Sequence, residues 1–433
     1  MLTSLRISLL MLLLTSVAQA TPVSAKNPTI RLDYTQLLSA RNNFNKGKKP
    51  YVSGVNQLDA QAAKLLNIKP LTIVNKTVLP ASGNPHDYFS FAPYWWPNPK
   101  TADGMPWIQL DGKINPASRD SRSDKVAFNE LVNSTQVLSS AYFFTQKKPY
   151  ATKAAELIRV WFLDEATKMN PHLNYAQAIP GSFDGRGIGI IDSRLLYRIV
   201  DSIRLLDTAS VFTPKEMAGL QKWFADYVDW LVQSPLGQDE RKALNNHGTF
   251  YDLQVVAFAL FAGREDIARA TLEQTKKRIT AQFDTEGKQW RELERTRPFH
   301  YSVFNLQAFF GLAKMAKDLN VDLWNYPTAQ DARIKAGMNY VLARMEKETN
   351  WGGTEEPEIA QDIIVPMLLE YANVYGVNHM KLVDKLKPIK KLQSIDQIAL
   401  GHPQWLQCSF LFSNANIESL NLTSSGDLKP CFY

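Results

Sequence analysis

The sequence predicts an all-α fold, an (α/α) toroid of antiparallel helical hairpins, on three observations. The dominant periodicity is helical, and strand signals are sparse. Helical segments of about 15–20 residues also follow one another across short Gly-, Pro- and Asn-rich connections, which implies stacked antiparallel pairs. No fixed repeat of the solenoid type runs through the chain. The predicted ring is closed or incomplete, and its loops and helix ends frame a cleft suited to an extended polymer.

In chain order, residues 1–20 read as an export signal. Arg6 supplies the positive start, Ile7 to Val17 is mostly apolar, and Ala18-Gln19-Ala20 is the small-x-small cleavage pattern. The apolar run is shorter than the roughly 20 residues that a spanning helix needs. Residues 21–433 are therefore expected as a single toroid domain, periplasmic or secreted and off the membrane. Helical segments are predicted at Lys125–Gln146 and Ala151–Glu165, the latter with Ala154, Leu157, Ile158, Trp161 and Phe162 on one apolar face. Another covers Asp192–Asp207. Thr213-Pro214-Lys215-Glu216 combines an N-cap, a first-turn proline and a capping glutamate, and opens a helix that turns Met217, Leu220, Trp223, Phe224, Tyr227, Trp230 and Leu231 inward. Further helices are predicted at Phe250–Phe261, Asp266–Phe283, Val303–Asp318, Ala329–Lys347 and Ile359–Tyr375.

Two stretches break the pattern. Leu79 to Asn115 is rich in Pro, Gly and aromatics, and Pro171 to Gly189 in Gly and Asn. Loops of this length in a compact domain are functional or disordered, and the aromatic content argues against disorder. The two cysteines, Cys408 and Cys431, lie near the C-terminus, where a disulfide in an oxidising compartment would tie down the tail from Asn414 to Tyr433.

The formal net charge is +7, or +6 once Arg6 leaves with the signal. Such an excess favours polyanionic partners. There is no Lys/Arg block and no DNA- or RNA-binding motif, so nucleic acid is not expected and an acidic polysaccharide fits better. The chain is expected as a monomer or small homo-oligomer. No His-Glu-x-x-His, Cys-x-x-Cys or Asp-rich calcium loop occurs, so no metal or other cofactor is indicated. Gly185-Arg186-Gly187-Ile188-Gly189 misplaces the third glycine of a dinucleotide fingerprint and reads as a turn, and no Gly-x-Ser-x-Gly is present.

Asn245-Asn246-His247 and the segment Arg295-Thr296-Arg297-Pro298-Phe299-His300-Tyr301 hold the residue types that β-elimination on a uronic-acid polymer requires. The C5 proton of a uronate is weakly acidic while its carboxylate keeps its charge. Amide, imidazole and guanidinium donors on that carboxylate stabilise the enolate-like intermediate, as oxyanion sites do. A base must reach the C5 hydrogen and an acid the O4 leaving group. A tyrosine near a helix start, with cationic neighbours, is expected to have a lowered pKa and to serve as base and then acid. Taken alone, Asn245-Asn246-His247 reads equally well as a polar helix cap. Arg295 and Tyr301 flank Pro298 and are expected on a bent loop or a helix entry that leads into an apolar helix from Val303.

Four segments resemble the alginate lyase superfamily of polysaccharide lyases: Phe89 to Pro97 with its Tyr-Trp-Trp-Pro, Met169 to Gly181, Asn245-Asn246-His247, and Arg295 to Tyr301. The similarity runs from about Tyr88 to about Pro366. It implies an (α/α) toroid, agreeing with the periodicity. It also implies that Asn246 contacts the uronate carboxylate, that His247 neutralises it or acts as base, that Arg295 lies near the catalytic tyrosine, and that Tyr301 is the general acid and often the base. The Arg–Tyr spacing of six differs by one from that of the best-known bacterial alginate lyases and points to a sister branch that cleaves alginate and glucuronan. This leaves Arg291, Arg295 and Arg297 open for the arginine role.

Tyr94, Trp95, Trp96 and Trp107 are candidates to stack on sugar rings or to anchor the loop that carries them. Arg119, Arg122, Lys125 and Arg186 are candidates for carboxylates at flanking subsites. His172 and Tyr175 are expected in the cleft, and His300 either assists Tyr301 or is structural. His86, His379 and His402 have no such context. Mannuronate-rich alginate is the expected substrate, with glucuronan next. Two rivals remain: a glycoside hydrolase, which needs two carboxylates about 5–10 Å apart and would draw on Glu292, Glu294, Glu355 and Glu356, and a non-catalytic polysaccharide-binding protein.

Overall fold

The computed structural model describes residues 28–346 and 361–377. The signal segment, Cys408, Cys431, His379, His402 and the Trp351–Glu356 loop lie outside the described residues. Thirteen helices are described: α1 (Tyr34–Asn45), α2 (Lys49–Leu65), α3 (Lys125–Thr145), α4 (Lys148–Phe162), α5 (Tyr197–Leu206), α6 (Pro214–Gln233), α7 (Pro235–Arg241), α8 (Asn246–Phe261), α9 (Glu265–Gln282), α10 (Trp290–Leu293), α11 (Pro298–Asp318), α12 (Arg333–Glu346) and α13 (Gln361–Tyr375).

Hairpins dominate. Only Gln146 and Lys147 join α3 to α4, and three residues join α8 to α9, so each pair packs side by side and antiparallel. Helices α3, α8 and α11 are the inner elements. Every residue from Ser134 to Phe144 in α3 and from Gly248 to Ala259 in α8 is buried, as a helix enclosed by neighbours requires. The outer α4 is amphipathic and buries Ala154, Leu157, Ile158, Trp161 and Phe162, the face that the periodicity marked. Each of the larger side chains among them stabilises the fold by about 1.5–3 kcal/mol relative to exposure. The arrangement is an all-α toroid of helical hairpins.

The capping box at Thr213 forms as read: its hydroxyl accepts from the Glu216 N–H, while the Glu216 carboxylate accepts from the Thr213 N–H. Two helix starts differ from expectation. Helix α8 begins at Asn246 and α11 at Pro298, each several residues before its apolar periodicity. Pro298 occupies the first turn, where a missing N–H costs nothing. Tyr301 therefore sits at the entry of α11, the helical one of its two expected placements. Helices α1 and α2, which periodicity did not mark, pack against α3.

The two irregular loops meet. Strand β1 (Phe89–Phe91) pairs in parallel with the strand Tyr175–Ala178, and β2 (Trp95–Trp96) pairs antiparallel with β3 (Ile108–Gln109). Phe89, Phe91, Trp107, Ala178 and Ile179 form a small second core under them. Gly185 and Gly189 are glycines because a Cβ at either would collide with the carbonyls of Asn174 and Ala176. The turn read from this Gly-rich run presses against the Tyr175–Ala178 strand as a 3-10 segment.

Candidate active site

Helix α8 supplies the first half of the site. Asn245 is its N-cap, accepting the His247 N–H at 3.2 Å, so the capping reading belongs to Asn245 and leaves Asn246 and His247 for other work. Asn246 is 1% exposed, and Glu292 on α10 takes both its backbone N–H (2.6 Å) and its side-chain amide (2.8 Å). His247 Nδ1 lies 2.8 Å from Glu240 Oε1 at the end of α7. Burial pulls the His247 pKa down, but the Glu240 charge and hydrogen bond, with Glu292, outweigh it and raise the pKa above its usual value, while Arg295 opposes them.

Helix α11 and the turn before it supply the second half. Arg295 Nη2 donates to the Tyr301 hydroxyl at 3.0 Å, and its guanidinium lies 4.0 Å from the centre of the Tyr301 ring. Of the three candidate arginines, Arg295 makes this contact. Arg291 is exposed and faces Glu294 at 3.7 Å, and Arg297 heads α11, its carbonyl accepting the Tyr301 N–H. Glu292 joins the two halves. Burial raises its pKa to about 7, and Asn246, Arg295 and His247 all pull against that rise.

The aromatic loop closes the arrangement from the other side. The Tyr94 hydroxyl lies 3.1 Å from that of Tyr301, and Asp111 lies 4.0 Å from Arg295. The structure therefore brings Tyr94, Asn246, His247, Arg295 and Tyr301 together from segments far apart in sequence.

The expected lowering of the Tyr301 pKa is not what the structure gives. Burial raises it, Tyr94 and Asp111 add to the rise, and Arg295 offsets only part of it. At rest Tyr301 is a neutral phenol, in the protonation state of a general acid. His300 stacks on Phe304, with ring centres 5.9 Å apart, and meets Tyr301 edge-on. Burial, with Arg297, Arg194 and Arg295, pushes its pKa down to about 4, so its ring is neutral.

The flanking candidates divide. Trp107 is buried and stacks on Phe91, making it a loop anchor. Trp95 and Trp96 are half-buried; the Trp95 carbonyl accepts from Asn115, and Trp96 Nε1 donates to the Lys113 carbonyl. Arg186 donates to the Gln177 carbonyl and side chain and lies 6.0 Å from the Trp95 ring. Gln177 in turn donates to the buried Asp192, which also takes Ser90 and Tyr88. Lys125 is buried against Asp192 at 3.2 Å, and Arg122 pairs on the surface with Asp120, so both are engaged within the protein. Arg119 is exposed. His172 lies against Asp87 at 3.1 Å, between Tyr175 and Trp230. His86 bonds to the Lys168 carbonyl.

Sequence reasoning missed Glu240 and Asp111 and met Glu292 only as a hydrolase candidate. Glu292 is committed to Asn246 and Glu294 is on the surface, so among the described residues these two make no cleft-facing carboxylate pair.

Comparison with known proteins fits this geometry. A sequence model of the family described as alginate lyase matches residues 72–351, more than half the chain. The crystal structure of an alginate lyase from Bacteroides ovatus superposes with a TM-score of 0.80 at 31% identity, covering 88% of this chain and 98% of that one. Alginate lyase A1-III from Sphingomonas species A1 shares the fold, with a TM-score of 0.51 at 13% identity over 81% of this chain and 94% of that one. No curated protein sequence matches. The chain belongs to the alginate lyase family and is a polysaccharide lyase.

Proposed function

We propose that this lyase is exported and cleaves 1,4-linked uronic-acid polymers by β-elimination, with mannuronate-rich alginate as its first substrate and glucuronan as its second. The observation that carries the reading is the Tyr301 hydroxyl, held between Arg295 at 3.0 Å and Tyr94 at 3.1 Å, with Arg295 in turn close enough to His247 to act on its charge. In this reading His247 and Arg295 neutralise the carboxylate, and the Asn246 amide completes the donor set. Tyr301, ionised beside Arg295 as the sugar binds, takes the C5 proton and returns it to O4 as the C4–O4 bond breaks. In mannuronate and glucuronate these two groups lie on the same side of the ring, so one residue can serve both. Guluronate places them on opposite sides and needs a second base.

Cleavage makes an unsaturated uronate that absorbs in the ultraviolet. A panel of poly-mannuronate, poly-guluronate and glucuronan, followed by absorbance, tests the reading. Absorbance should rise fastest on poly-mannuronate. Reducing ends without absorbance would mean hydrolysis, and retention of polymer without either would mean a binding protein. Export is supported by the Arg6–Ala20 pattern, and N-terminal sequencing of protein recovered from the periplasm or medium tests it: the chain should begin at Thr21.

A further inference from the structure

Glu240 is 1% exposed at the end of α7, in a charge run that looks like solvated surface. Its Oε1 bonds His247 Nδ1 at 2.8 Å, and its Oε2 has no hydrogen-bond partner among the described residues. A buried carboxylate is tolerated when a cation compensates it. Here that compensation falls mainly on His247, with Arg186 at longer range.

The pair is held by backbone as well as by side chains. Arg278, buried against Asp252, donates to the carbonyls of Ala243 (2.5 Å) and Arg241 (2.9 Å), and Gln282 donates to that of Asn245 (3.1 Å). The link from α7 to α8 therefore fixes Glu240 and His247 relative to each other. With Nδ1 committed to Glu240, Nε2 is the ring nitrogen left for a substrate, and a fifth of the His247 side chain is exposed.

We propose that Glu240 is a positioning residue of the lyase reaction: it holds His247 with Nδ1–H inward and Nε2 towards the sugar, and supplies the counter-charge that makes this ring a carboxylate-binding cation. The inference rests on the carboxylate role given to His247 above. The charged groups facing His247 are Glu240 from α7, Glu292 from α10 and Arg295 from the turn after it. The α8 N-terminus and Arg295 disfavour the imidazolium, and the two carboxylates favour it. A ring kept cationic is a poor proton acceptor. Glu240 thereby steers the site towards uronates with C5–H and O4 on one side, and away from guluronate, which needs His247 as base.

The test uses the full chain labelled with 15N-histidine, its six histidines resolved by difference against His247→Gln. In the wild type, His247 should carry its proton on Nδ1 when neutral and should titrate above 6.5. In Glu240→Gln the midpoint should fall by about one pH unit or more. The basic limb of kcat/KM on poly-mannuronate should move down with it, with a roughly ten- to hundredfold loss at neutral pH. Glu240→Asp should restore part of both. An unchanged His247 titration in Glu240→Gln would overturn the proposal, as would an activity loss equal at every pH. If the variants do not fold, the wild-type spectrum still decides: a neutral ring protonated on Nε2, or a midpoint at or below 6.5, rejects it. The absorbance panel tests the lyase reaction separately, so failure there is distinguishable from failure of the Glu240 assignment.

Discussion

Replacing Tyr301 by Phe removes one oxygen and leaves the ring. The hydroxyl takes part in two hydrogen bonds, from Arg295 Nη2 at 3.0 Å and with Tyr94 at 3.1 Å, each contributing about 1 kcal/mol net to stability. Much of the Arg295–ring contact at 4.0 Å survives in phenylalanine. The structural cost is thus at most about 2 kcal/mol, within the range of an ordinary point substitution. The chemical cost is larger. An acid/base side chain contributes roughly 10²–10⁴-fold, and Tyr301 is assigned both transfers. The expected fall in kcat is therefore about 10³-fold or more, equivalent to roughly 4 kcal/mol of barrier.

The assay is the initial rate of ultraviolet absorbance on poly-mannuronate, paired with calorimetric binding of a short oligomannuronate to the variant. Asn246, His247 and Arg295, the groups proposed to bind the carboxylate, are untouched, so affinity should stay close to that of the wild type. If the variant keeps more than about a tenth of wild-type kcat, Tyr301 is not the proton-transfer residue. If binding is lost in parallel with turnover, the oxygen holds the sugar rather than moving its proton.

Arg295→Lys keeps the charge but loses the planar fork that reaches the Tyr301 hydroxyl, so kcat/KM on poly-mannuronate should fall roughly ten- to hundredfold, read by the same absorbance assay. Glu292→Gln tests a linkage. The folded pKa of Glu292, about 7, lies above its ordinary 4.5, so its contribution to stability is full below about pH 4.5 and is lost as pH rises through 7. The loss amounts to up to about 3 kcal/mol, and the wild-type-minus-variant difference in Tm measured across pH 4–8 should show it; a flat difference would reject the raised pKa. Arg278→Met leaves Asp252 buried without its partner and frees the carbonyls of Arg241 and Ala243. It should destabilise the fold by about 3–5 kcal/mol in urea denaturation and lower activity through the loosened α7–α8 link.

What the sequence made legible, and what it hid, follows from the range of the interactions. Helix α4 was readable because Ala154, Leu157, Ile158, Trp161 and Phe162 encode their own burial in local spacing. The start of α8 was legible only as one of two readings, a polar cap, because Asn246-His247-Gly248-Thr249 is polar where a core helix should be apolar; that polar first turn is itself the candidate site. The same conflict hid the start of α11 behind Arg295 to Tyr301. Helix α1 was missed because it buries only Leu37 and Ala40, leaving little apolar pattern to detect. The pairing of Phe89–Phe91 with Tyr175–Ala178 joins segments that no local signal relates. Residue types fixed the candidate reaction, since amide, imidazole, guanidinium and phenol in two short segments serve few other ends. Protonation states lay beyond that reading, because they depend on neighbours brought in by the fold. Arg295, six residues from Tyr301, argued for a lowered phenol pKa, whereas burial together with Tyr94, from a loop 207 residues away, reverses the sign. His247 shows the same logic in the opposite direction: burial alone would lower its pKa, and Glu240, 2.8 Å from Nδ1, reverses the sign and raises it. The donors of this site can be named from the sequence, but which of them is charged is decided by the carboxylates packed behind them.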